Sequence, residues 1–196
     1  MRALIRELIE TVIIALLIFL ALQFSVQNFR VEGPSMDPTL GDGQYLLANK
    51  LVYLSFDPQD LRSLLPFIDV KRDKPLFPFH SPRRGEVVIF RFPGDESRDF
   101  VKRVIAIPGD TVEIREGQVF VNDEKRDEPY ITHHENSSMA PAKVGSAEYF
   151  VLGDNRRASH DSRNWGPVPG RNIIGRAWLS YWPLDRLRGL QIFGWL

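Results

Sequence analysis

The chain has 196 residues, balances 25 Lys and Arg against 25 Asp and Glu, and contains no cysteine. A chain with no charge bias lacks the basic stripe that carries nucleic-acid affinity, and without thiols there is no cysteine nucleophile, disulfide framework or thiolate-held zinc. The length admits one membrane anchor and one domain with a core of its own, and two full soluble domains would be a tight fit.

No charge interrupts residues 11–29, and residues 12–22 are wholly apolar. A helix needs about 20 such residues to cross the hydrocarbon core, so the segment predicts a transmembrane anchor over residues 1–28. A cleavable leader would end in small residues at a cleavage site, whereas Gln23-Phe24-Ser25-Val26-Gln27-Asn28-Phe29 places bulky and amide side chains there. Arg2 and Arg6 precede the span against Arg30 after it. This orientation puts the N-terminus in the cytoplasm and residues 29–196 on the outer face.

Beyond Phe29 short apolar runs alternate with Pro, Gly and Asp, the pattern of a mainly β domain. Strands are expected at residues 45–49, 86–92, 100–107, 111–114, 118–121 and 148–152. Pro108-Gly109-Asp110 and Glu116-Gly117 read as turns, the second closing a hairpin. Two stretches break the rhythm. The excursion at 52–83 holds five prolines and the basic cluster Lys71-Arg72-Asp73-Lys74, with one short helix expected around residues 59–65. It is either a solvated loop or a surface resting on a lipid bilayer. The polar insert at 123–147 contains His133-His134-Glu135 but no further ligand at a helical spacing, so it reads as a solvated loop and no metal is expected.

Gly33-Pro34-Ser35-Met36-Asp37-Pro38-Thr39-Leu40 follows the anchor at once. Prolines and glycine leave that backbone few conformations, which fixes the Ser35 hydroxyl in space. An ordinary turn has the same look, and serine is a poor nucleophile without a base beside it. His160 with Asp161 is part of a Ser-His-Asp arrangement by composition, yet adjacent residues point apart along an extended chain. Lys102 stands in an apolar strand, with Phe100 and Val104 on its own face and Val101 and Ile105 on the other. Burial there disfavours the ammonium form; a fall from about 10.4 to roughly 7–8 corresponds to about 4 kcal/mol, within reach of an apolar site. Arg103 cannot serve, because guanidinium keeps its proton. Lys50, at a strand end, is the rival amine. The residues alone leave Lys102 open between a buried base and an exposed lysine on an edge strand. The polar loop at 153–168 is open in the same way: it caps the domain through salt bridges, or it presents Ser159 to a buried amine while Asp161 and Arg163 hold its shape.

Pro-Ser-Met-Asp-Pro-Thr-Leu at 34–40, Arg-Gly-Glu-Val-Val-Ile-Phe at 84–90, Asp-Phe-Val-Lys-Arg-Val-Ile-Ala-Ile-Pro-Gly-Asp at 99–110, Gly-Asp-Asn-Arg at 153–156 and Ser-His-Asp-Ser-Arg at 159–163 resemble, in order and spacing, the type I signal peptidase family. The resemblance runs from the anchor to about residue 183. It implies a membrane-bound serine endopeptidase with a β-rich catalytic domain, Ser35 as nucleophile, Lys102 as general base, and a supporting loop of Ser159, Asp161 and Arg163 in which Ser159 bonds the lysine amine. The implied substrates are secretory preproteins, cut after small-x-small motifs, with no cofactor. Val31, Gly33, Met36, Leu46, Ile89, Phe100 and Val101 match the family's pocket walls. One departure concerns the oxyanion. Many members carry a serine two positions before the nucleophile where this chain has Gly33, which leaves the Ser35 N–H as the main donor.

Three rival classes follow from the same residues. A self-cleaving repressor-type protease would share the Ser-Lys pair but bring a DNA-binding helix-turn-helix in place of the span. A Ser-His-Asp hydrolase would depend on His160. A membrane-tethered binding module would process no preprotein.

Overall fold

A computed structural model describes residues 2–53, 80–132 and 134–190. The short helix expected around 59–65, the basic cluster at 71–74 and His133 lie outside the described residues. The chain opens with helix α1 (Arg2–Ser25), which stops where strand β1 (Val26–Arg30) begins. Val26, Gln27 and Asn28, expected inside the anchor, are therefore strand residues paired with Asn49, Ala48 and Leu47. The uncharged part of the helix is shortened to about 15 residues, or about 22 Å of rise, against the about 30 Å of a hydrocarbon core. Among the described residues no helix is long and apolar enough to cross a membrane.

The rest is mainly β. In chain order the strands after β1 are β2 (Tyr45–Asn49), β3 (Val87–Phe92), β4 (Asp95–Ala106), β5 (Thr111–Arg115), β6 (Gln118–Val121), β7 (Glu124–Lys125), β8 (Met139–Lys143), β9 (Glu148–Leu152), β10 (Val168–Pro169), β11 (Ile173–Trp182) and β12 (Arg188–Gly189). One-turn helix α2 (Ser162–Trp165) sits between β9 and β10. All six expected strands form, and Glu116-Gly117 closes the β5–β6 hairpin with both residues at positive φ. The larger sheet runs β1-β2-β11-β3-β4-β9-β10, with β12 on β11; the smaller runs β7-β6-β5-β8.

Besides β1 and the two-residue strands β7, β10 and β12, two longer strands were not expected. β11 lies in the middle of the larger sheet, between β2 and β3, yet bulges between Ala177 and Leu179 and between Ser180 and Trp182 shift its register. The inward phase set by Ile173, Gly175 and Ala177 passes to Ser180, so no single period of two marks the segment. β8, inside the polar insert, contains Pro141 and pairs only with β5, the edge position where a strand tolerates proline.

β3 shows why the sheet has a core on both faces. Val87 and Ile89 pack with Val31, Met36, Leu40 and Leu46, whereas Val88 and Phe90 pack with Tyr53, Val104 and Val151 on the other side. A continuous apolar run is what a strand buried on both faces requires. A third cluster, around Ile105, Val112, Val119 and Phe150, joins the two sheets. The larger sheet curls far enough that the segment following its first strand reaches its fifth, β4, and the candidate site lies there.

Candidate active site

The segment after β1 is held as a rigid bracket. Val31 exchanges backbone bonds with its neighbours across the turn, its N–H donating to Gln44 O at 2.8 Å and its carbonyl accepting from Gly43 N at 2.9 Å. Asp37 N donates to Pro34 O at 3.1 Å and Leu40 N to Met36 O at 2.8 Å, so the chain turns tightly on either side of Ser35. Met36 and Leu40, both fully buried, plug this bracket into the core. Gly33 has φ +81, a conformation that side-chain-bearing residues rarely adopt, and its N–H donates to Asp42 Oδ1 at 2.8 Å. That N–H is thus committed to the bracket rather than turned to a ligand.

Lys102 lies opposite Val88 of β3, and β4 pairs with β9 only from Arg103 onward. Its strand is therefore interior beyond this point, and Lys102 is 4% exposed, which sets aside the exposed edge-strand reading. Lys102 Nζ stands 2.8 Å from Ser35 Oγ and 3.0 Å from Val101 O, and 5.4 Å from the centre of the Phe100 ring. Burial pushes its pKa down to about 8, with Asp161 and then Asp154 pulling it partly back. With a pKa of about 8 roughly a tenth of the amine is neutral at pH 7 and about half at pH 8, far more than for a solvated lysine, which is what a general base needs.

The polar loop after β9 closes the far side. Asp161 caps α2 with a capping box, and its buried carboxylate accepts from Gly153 N at 3.1 Å and from Arg163 Nε and NH2 at 2.9 and 3.0 Å. Asn155 N donates to Ser35 O at 3.1 Å, tying this loop to the nucleophile's own backbone. Ser159 Oγ is buried without a hydrogen-bond partner among the described residues, so the bond to the lysine amine implied by the resemblance is not formed. It packs instead against Gly153, where an added Cβ would collide with it and with Ser35 O.

A groove of about 460 Å³ opens over the pair, between residues 29–35 on one wall and 98–102 on the other. Val31, Gly33, Leu46, Ile89, Phe100 and Val101 line it as expected. Met36 does not; it is sealed in the core beneath. Arg98 and His160 also line the groove and were not expected there. Arg98 was detectable in principle: at two-residue spacing it shares a strand face with Phe100 and Lys102, and its guanidinium sits 5.2 Å over the same ring. Among the described residues no three His, Asp or Glu side chains are grouped to hold a metal ion.

A serine hydroxyl against a dehydrated amine, in a groove open at the edge of a sheet, is the equipment of a serine peptidase. Comparison with known proteins agrees. The family model described as "Signal peptidase, peptidase S26" matches residues 5–182. A probable signal peptidase I-2 from Synechocystis sp. is 33% identical over 188 residues, covering 92% of this chain and 75% of that one. A signal peptidase I from Bacillus licheniformis is 32% identical over 195 residues, covering 93% and 91%. A crystal structure of a signal peptidase I from Enterococcus faecalis V583 is 30% identical and covers 49% of this chain and 96% of that one, with a TM-score of 0.44. The chain belongs to the signal peptidase family, peptidase S26, and is a hydrolase of the serine peptidase class.

Proposed function

We propose that this peptidase removes signal peptides from exported preproteins at a membrane surface, with Ser35 as nucleophile and neutral Lys102 as general base. The observation that carries the proposal is the 2.8 Å approach of Ser35 Oγ to the amine of a lysine only 4% exposed. The neutral amine accepts the hydroxyl proton as Ser35 Oγ attacks the scissile carbonyl carbon. The negative charge on the carbonyl oxygen is met by the Ser35 N–H, since Pro34 has none and Gly33 N–H is engaged with Asp42. The resulting ammonium returns its proton to the leaving amine, and an acyl ester on Ser35 is left behind. Water then gives a proton to Lys102 and attacks the ester; the proton passes back to Ser35 Oγ as the acid departs.

The substrate enters as an extended strand between the two groove walls, so alternate side chains fall on one face. Buried Val31, Leu46 and Ile89 leave shallow room on that face, which supports cutting after small-x-small motifs. Asp161 and Arg163 hold the loop behind the amine. Ser159, whose hydroxyl is buried without a hydrogen-bond partner among the described residues, is the supporting hydroxyl for Lys102 once the ammonium forms.

The membrane reading rests on α1. Leu16, Leu17, Ile18, Phe19 and Leu20 are consecutive and all exposed, so the helix is apolar around its whole circumference, which suits a lipid environment better than an interface. A single pass, N-terminus in the cytoplasm, would meet its length deficit by local bilayer thinning and by Arg6 reaching outward. Exposed Trp178 and Trp182 on β11 give the domain aromatic side chains for the interfacial layer. The test is processing of a model preprotein in proteoliposomes by the wild type, Ser35→Ala and Lys102→Ala. Cleavage only by the wild type is expected; equal cleavage by Lys102→Ala overturns the mechanism.

A further inference from the structure

The polar insert at 123–147, expected to be a solvated loop, packs against the loop that closes the candidate site. Two of its carboxylates meet two guanidiniums there. Arg156 NH2 donates to Glu128 Oε1 at 2.6 Å, and Arg163 NH1 donates to Glu135 Oε2. Both pairs span 28 residues of sequence, so the two segments run alongside one another at a fixed offset. Tyr130 ties the insert to β4 as well: its hydroxyl donates to Glu128 Oε1 at 2.7 Å while its ring lies 4.0 Å beneath the Arg103 guanidinium.

The two arginines do more than neutralise carboxylates. Arg156 Nε donates to Gly153 O at 3.1 Å, and Arg163 NH2 donates to Arg156 O at 2.8 Å and to Ser159 O at 3.4 Å. Three loop carbonyls are thus held by two guanidiniums, each of which is held in turn by a glutamate of the insert. The loop has no slack against the nucleophile, because Asn155 N bonds Ser35 O and Gly153 leaves no room for even a methyl group beside Ser35 O and Ser159. A shift of the loop would pass directly to Ser35 and to the side of Lys102.

We propose that Glu128 and Glu135 are positioning residues of the peptidase, bracing the 153–163 loop through Arg156 and Arg163 so that Ser159 and Asp161 stay in place behind Ser35 and Lys102. This rests on the reaction proposed above. The two glutamates differ in burial. The Glu128–Arg156 pair is sealed, at 8% and 4% exposure, and removing either member leaves an uncompensated buried charge that endangers the fold. Glu135 is 39% exposed, so its loss is tolerable to the fold and informative about the reaction.

The experiment is preprotein cleavage by the full chain in proteoliposomes, comparing wild type, Glu135→Gln, Glu135→Asp and Glu113→Gln. Glu113 pairs with Arg115 in the smaller sheet and controls for the loss of any ion pair. The expected result is that Glu135→Gln lowers kcat about 10-fold with KM within about twofold, since small displacements far from the chemistry act on the turnover step. Glu135→Asp recovers part of the loss, and Glu113→Gln stays at the wild-type rate. All are assayed below the onset of melting; if Glu135→Gln melts too early, the same kcat comparison is made on Glu135→Asp, with an intermediate loss expected. Wild-type kcat in the glutamate variants, or a loss confined to Tm or KM, overturns the brace. A wild type that cleaves no preprotein, or cleaves no faster than Ser35→Ala, instead overturns the underlying reaction.

Discussion

Lys102 and Arg103 are neighbours on one strand, and both are almost sealed from solvent, at 4% and 2% exposure. Their side chains leave opposite faces of β4 and meet different surroundings. Burial by itself lowers the pKa of both. For Arg103 it is outweighed by Asp154, whose oxygens accept from Nε at 2.9 Å and NH2 at 2.6 Å, and the guanidinium also reaches Gly85 O at 2.7 Å. Lys102 touches a hydroxyl, a carbonyl and a ring face but no carboxylate, so burial wins and its pKa falls to about 8. Equal dehydration gives a permanent cation where a counter-ion is in contact and a titratable base where it is not.

The comparison is broken most severely on its catalytic side. Replacing Ser35 or Lys102 by Ala is expected to lower kcat/KM by about 10⁴-fold or more, as removal of a nucleophile or its base does in other serine hydrolases. Preprotein cleavage under single-turnover conditions measures it. On the Arg103 side the large effect is on stability. Asp154→Asn leaves a buried guanidinium with no carboxylate in contact, and the expected loss is about 3–5 kcal/mol, read from the urea midpoint. A loss below about 1 kcal/mol would mean that the pair is solvated and the contrast between the neighbours is false.

Lys102→Met sharpens the same contrast in the opposite direction. The lysine's folded pKa, about 8, lies below its ordinary value near 10.5, so the unfolded chain binds more protons between those two values. Wild-type stability therefore rises with pH across that window, and below pH 8 the full penalty of about 3 kcal/mol is present. The methionine variant has no such penalty. It is expected to be more stable than wild type by about 1–3 kcal/mol at pH 7, with the gap closing above pH 10.5. The same titration sets the acidic limb of kcat/KM near pH 8, below which the rate should fall tenfold per pH unit. A flat profile from pH 9 to pH 6 is incompatible with an amine acting as the base.

Half of the strands were legible because local pattern carries them, whereas Ser35 and Lys102 were singled out by their surroundings and given their roles only by the family resemblance. β3 opens with an apolar run and β4 holds another, interrupted by Lys102 and Arg103, and the Ser35 bracket is punctuated by prolines and glycine. What escaped was determined by tertiary contact. β11 hides its place in the larger sheet behind two bulges, and Met36 looks like a pocket wall by adjacency to Ser35 yet turns into the core. Glu128 and Glu135 stand in a stretch as polar as any surface loop, and only pairing with arginines far along the chain distinguishes them from solvated residues. Charge patterning reports such partners only at helical or strand spacings, and these have neither.

The smallest expected effect bears on the oldest rival for the base. His160 lines the groove and is exposed, and adjacency to Asp161 makes it the natural candidate for a Ser-His-Asp system. The carboxylate it would need is otherwise engaged. Asp161 is fully buried and accepts from Gly153 N and from Arg163, while the His160 ring packs edge-on against Trp165 at 4.7 Å. With nothing to orient it as a base, the imidazole contributes only a patch of groove surface. His160→Ala is therefore expected to change kcat/KM by no more than about threefold, against the about 10⁴-fold effect of disabling a genuine triad. A collapse to the level of Ser35→Ala would transfer the role of base from the dehydrated lysine to the histidine and leave the low pKa of Lys102 without a function.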